Sequence, residues 1–166
     1  MINQMFGLLN APHVHIVINH FPVILVPTGL AIMLFGLYRG SEDLKKAAAW
    51  MFVASGGFAA IAFVSGNMAA PGLMALVPGV SVPDMMVHQQ AAQFALGGSV
   101  LLALICLGGL FVFRGKMLPV RIAVVILLVA VWLSSVMGRT AYLGGKIRHT
   151  EIIPAEQQNQ SNPSPR

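Results

Sequence analysis

Charge is scarce in this sequence: 9% of its 166 residues are Asp, Glu, Lys or Arg, where a soluble domain carries about 25%. Long stretches have none at all. No Asp, Glu, Lys or Arg falls between Met1 and Tyr38, from Ala47 to Pro83, from Met85 to Phe113, or from Ile122 to Gly138. A membrane-crossing helix needs about 20 mostly apolar residues, so each gap is long enough for one span. Cysteine is nearly missing too. Cys106 stands alone, which excludes an intramolecular disulfide and any Cys-ligated iron–sulfur cluster. Carboxylates number five, and none forms a pair within a span, which argues against a proton-pumping relay or a hydrolase. There is no phosphate-binding loop, and the glycine pairs suit close helix packing instead.

What is present is hydrophobic: 57% of the chain. The pattern predicts an all-α integral membrane four-helix bundle, up-down-up-down, with spans at about 13–38, 47–68, 83–113 and 118–142. Four spans leave no room for a further globular domain of about 100 residues. Asn10 is the expected cap of span one, with Pro12 in its first turn, and Pro22 and Pro27 should bend it. Ser55-Gly56-Gly57, Gly97-Gly98 and Gly108-Gly109 offer close-packing points. Ser81-Val82-Pro83-Asp84 reads as a capping box opening span three. The stretch Ala69–Val82, rich in Pro and Gly, reads as a loop, and 151–166 as a disordered polar tail. No basic residue precedes the first apolar run, so it is expected to stay as a span rather than be cleaved as a signal peptide.

The ten Lys and Arg give a net charge of +5, but they sit at span ends and not in one patch, so no nucleic-acid partner is implied. They report topology. Arg39, Lys45, Lys46, Arg114, Lys116 and Arg121 share one end; Arg139, Lys146, Arg148 and Arg166 gather near the other. The larger group marks the cytoplasmic side of a bacterial inner membrane, with both termini outside.

The five histidines, His13, His15, His20, His88 and His149, all fall at the end opposite those six cations. At 1.5 Å per residue, His20 lies roughly 10 Å along span one from His13, and His88 roughly 7 Å along span three from Pro83. Ionisable groups at such depth face a bundle interior or cavity. A single histidine at a membrane surface serves as a polar anchor, but the pair His20 and His88 points to the axial ligands of a b-type haem. The small residues Ala91, Ala92, Ala95 and Ser99 flank His88 and leave room for a flat macrocycle or for tight packing. His15 and His20 differ by about 140° on the helical wheel, which gives His15 a secondary role, with Asn19 placed to orient it. His149 and Arg139 are secondary candidates, Arg139 as a partner for a haem propionate or for Asp84. Met68, Met74, Met85, Met86 and Met137 near the same end make copper the alternative metal.

His15-Ile-Val-Ile-Asn-His20-Phe21-Pro22 resembles the His-Pro-x-x-x-His-Phe-Pro opening of a family of small bacterial four-span membrane proteins of unknown function. Thr140-Ala-Tyr-Leu-Gly-Gly-Lys-Ile-Arg-His149 is similar to that family's Gly-Gly…His ending, and His88 stands where its members often carry a histidine. The likeness covers about Ala11 to Glu151. This chain departs from it with Ile16 where the family has proline. The resemblance implies a b haem, and with it a membrane electron-transfer subunit that is not an enzyme by itself. Its partners would be the lipid bilayer, other membrane subunits or a periplasmic cytochrome. A non-catalytic accessory subunit of a larger membrane complex is the alternative reading.

Overall fold

A computed structural model describes residues 10–76 and 80–148. Among these residues five helices follow one another: α1 (Ala11–Ile18), α2 (His20–Arg39), α3 (Glu42–Leu76), α4 (Val82–Val112) and α5 (Val120–Arg148). Helices α1 and α2 together form the first of four segments long and apolar enough to cross a membrane, and α3, α4 and α5 are the others. Each span packs against its neighbours in sequence, and α5 returns to pack on α2. The four spans therefore close into a ring, with spans one and three on one diagonal. This is an all-α four-helix bundle.

The local signals act largely as their chemistry predicts. Asn10 Oδ1 accepts the His13 N–H at 3.1 Å, and Ser81 Oγ accepts the Asp84 N–H at 3.3 Å. Pro22 has no N–H to offer the Ile18 carbonyl, and span one is interrupted at Asn19, just where that bond is missing. Pro27 sits inside α2 without ending it. Gly40, at φ 64°, closes α2 in the left-handed conformation, its N–H returning to the last turn.

Two boundaries differ from expectation. Helix α3 runs through Pro71-Gly72 to Leu76, so most of the expected Ala69–Val82 loop is helical. Ala69, Ala70, Leu73, Met74 and Ala75 are strong helix formers, and they outweigh the one hydrogen bond that Pro71 removes. Helix α5 likewise continues past Tyr142 to Arg148. His149 and the tail lie outside the described residues.

The inner face of each span alternates three- and four-residue steps, the spacing of a coiled-coil seam. In span one it runs His15, Asn19, Pro22, Val26, Gly29, Met33, Gly36, and from Pro22 onward every member is buried. In α3 it passes through Ala48, Phe52, Ser55, Ala59, Ala62 and Gly66; in α5, through Ile126, Ala130, Leu133, Met137, Thr140 and Gly144. Val26, Met33, Phe52, Leu102, Cys106, Ile126 and Leu133 meet in the centre, nearly or wholly excluded from outside. Gly56 and Gly98 let the spans approach: a Cβ on Gly56 would lie 2.7 Å from Ala103 Cβ, and one on Gly98 2.5 Å from Trp132 Cζ3. Gly57, Gly97 and Gly108 face outward and meet nothing.

These seams expose an internal repeat. His15, Pro22, Val26, Met33 and Gly36 share their spacing with His88, Ala95, Ser99, Cys106 and Gly109, and Ala62 and Gly66 of α3 with Thr140 and Gly144 of α5. Among the described residues the four spans pair as two helical hairpins that share this seam spacing.

Opposite the histidines, a polar clamp joins the two hairpins. Glu42 Oε2 accepts the Leu118 N–H at 2.7 Å, and the buried Lys45 ammonium donates to the Leu118 carbonyl at 3.4 Å. Glu42 Oε1 faces the Lys45 ammonium as an ion pair. The seam is thus closed at its cation-rich end by a satisfied charge pair.

Candidate functional site

The repeat places two histidines in matching settings. His15, half-buried on α1, donates from Nδ1 to the Ala62 carbonyl of α3 at 2.8 Å. His88, half-buried on α4, donates from Nδ1 to the Thr140 carbonyl of α5 at 3.1 Å. In each case the glycine one turn beyond that carbonyl makes room for the imidazole. A Cβ on Gly66 would lie 2.8 Å from His15 Cε1, and one on Gly144 2.9 Å from His88 Cε1. No other residue type fits there without moving the ring.

An Nδ1–H held by a carbonyl fixes the tautomer, and the lone pair then resides on Nε2. Such an outer hydrogen bond orients the ring and raises its basicity as a ligand. The bundle therefore carries two preset imidazole donors, on diagonal spans, at one end.

His20 is placed differently from expectation. Its ring is exposed, and Nδ1 binds the Ile16 carbonyl of its own chain segment at 2.9 Å. The histidines held by a carbonyl of a neighbouring span are His15 and His88, whereas His20 is held within its own span. The wheel angle between His15 and His20 separates their directions correctly; what decides which one turns inward is the seam. Counting back from Gly36 through Met33, Gly29, Val26 and Pro22 in steps of three and four lands on Asn19 and His15. That periodicity is present in the sequence and identifies His15 without a structure.

The other candidates disperse. His13 is exposed and bonds Asn10 Oδ1 at 2.9 Å. Asn19 does not hold His15: its Oδ1 is buried without a partner. Arg139 is exposed, and among the described residues the one ion pair is Lys45–Glu42, so Asp84 does not engage it. Of the methionines at this end, Met137 is buried in the core, Met85 is partly covered, and Met68, Met74 and Met86 are exposed. Gln89 Nε2 donates to Asn67 Oδ1 at 3.1 Å, tying α4 to α3 beside the histidines. Among the described residues no three His, Cys, Asp or Glu converge; a two-imidazole site needs no third.

Fold and site together define a class: a four-span all-α bundle with a pair of backbone-anchored histidines at one end. Comparison with family models, with characterised proteins and with solved structures finds no match to this chain.

Proposed function

We propose that this chain is a membrane electron-transfer subunit in which His15 and His88 hold one b-type haem. The observation that carries the reading is the matched anchoring of the two imidazoles, each through Nδ1 on a carbonyl and each against a glycine. Two imidazoles anchored through Nδ1, with Nε2 left to face a metal, are the donor set that axial haem ligation requires. The haem, when bound, supplies one-electron chemistry; the protein supplies ligands of fixed tautomer and an apolar surround. His15 and His88 would hold the iron, while Ala62, Thr140, Gly66 and Gly144 keep both rings from turning.

Position supports the partner class. Arg39, Lys45, Lys46, Arg114, Lys116 and Arg121, in or beside the 40–41 and 113–119 connections, gather at the end opposite the histidines, which by the positive-inside rule is cytoplasmic. The histidines then lie near the periplasmic face of a bacterial inner membrane, with N-out and C-out termini. A periplasmic cytochrome or a neighbouring membrane subunit would exchange electrons there. A reduced-minus-oxidised absorption spectrum of protein expressed with ample haem tests the reading. A bis-imidazole b-type band is the expected result; its absence overturns the proposal. Metal analysis of the same sample separates haem iron from copper, the alternative occupant of two imidazoles.

A further inference from the structure

At the end away from the histidines, a groove of about 550 Å³ runs down the outer surface between α4 and α5. Its walls are apolar, with Leu104, Ile105, Val112 and Val125 among them. Gly108 is part of its lining, and a Cβ built there would meet no atom within 4 Å. A side chain at this position would project into open space. Arg121 also lines it, exposed, and the connection from α4 to α5 adds the exposed Arg114 and Lys116.

We infer that this groove is a binding site for an anionic phospholipid, one acyl chain lying along Gly108 and the phosphate meeting Arg121, Arg114 and Lys116. An apolar groove facing hydrocarbon is filled by hydrocarbon, since a packing gap there forfeits dispersion contacts. Groove walls alone do not choose among lipids, because lipid tails are as apolar as leucine. Charge makes the choice. Arg121 lines the groove, Arg114 and Lys116 lie in the connection that joins its two walls, and α4 and α5 carry no Asp or Glu between Asp84 and Arg148; the exposed Asp43 at this end belongs to α3. Glu42, which reaches Leu118 nearby, is occupied by Lys45. A cation at an anionic membrane surface is worth roughly a five-fold gain in partitioning, so Arg121 favours an anionic headgroup over a zwitterionic one by about that factor.

The experiment is native mass spectrometry of the full chain released from mixed micelles. These contain phosphatidylglycerol and phosphatidylcholine with identical acyl chains in equal amounts. Preferential retention of phosphatidylglycerol is expected. Arg121→Gln should lower that preference by roughly five-fold, with Arg121→Lys keeping most of it. Gly108→Leu fills the groove without touching the core, and should reduce retention of both lipids while thermal stability holds. Equal retention of the two lipids by the unaltered protein would overturn the inference. So would a preference that survives both Arg121→Gln and Gly108→Leu, or a lipid-free dimer whose formation Gly108→Leu abolishes.

Discussion

A glycine under an imidazole is a one-atom tolerance, and the protein depends on it twice. Gly66→Ala and Gly144→Ala each place a methyl 2.8 or 2.9 Å from a histidine carbon, so the ring must turn and its Nδ1 bond must break. Overpacking of this kind costs about 1–3 kcal/mol, too little to unfold a bundle of this size. The expected outcome is a folded protein with altered ligation, visible as a shifted Soret band with unchanged helical circular dichroism. At the other end, Lys45→Ala leaves Glu42 facing a buried gap. Removing one member of a fully buried pair costs about 3–5 kcal/mol. With the Glu42 side chain 21% exposed, a loss of roughly 2–3 kcal/mol is expected, measured as reduced thermal stability; Lys45→Met should be milder because it keeps the packed stem.

At the scale of the helices, paired glycines one residue apart have opposite duties. A Cβ on Gly56 would meet Ala103 Cβ at 2.7 Å and the Ser99 carbonyl oxygen at 3.2 Å, the second being backbone that cannot give way. Gly56→Ala should therefore push α3 from α4 and destabilise by about 1–3 kcal/mol. Gly57→Ala meets nothing and should stabilise the helix by roughly 0.5–1 kcal/mol; thermal unfolding of the two variants side by side checks both signs. Much of this scale is legible in the sequence. The four charge-free stretches locate the spans, and Asn10 and Ser81 mark two starts, because capping is local chemistry. The α3 terminus is not legible in the same way: Pro71-Gly72 reads as a stop, but the surrounding Ala, Leu and Met sustain the helix through it. Which glycine of each pair packs inward depends on the phase of the seam, which the dipeptide alone does not carry.

For the whole molecule, the organising fact is the repeat. His15 and His88 are equivalent positions of two hairpins, as are Gly66 and Gly144, and so the two imidazoles arrive in the same tautomer at the same end. The sequence obscures this because the equivalent core positions differ, Val26 against Ser99 and Met33 against Cys106, so only spacing is shared. His88 is legible as a deep histidine, but its counterpart on span one is not: His20 carries the Phe-Pro that draws attention, while the seam turns His15 inward. Orientation belongs to this scale as well. A fusion after Arg166 should show alkaline phosphatase activity and no cytosolic-type fluorescence; the reverse would place the histidines on the cytoplasmic side and remove a periplasmic donor. The most direct measurement of the histidine pairing is the reduced-minus-oxidised spectrum of His15→Ala, His88→Ala and His20→Ala, each expressed with ample haem. Loss of the bis-imidazole band in the first two and its retention in the third is the predicted result; an intact band in His15→Ala, or its loss in His20→Ala, would contradict it.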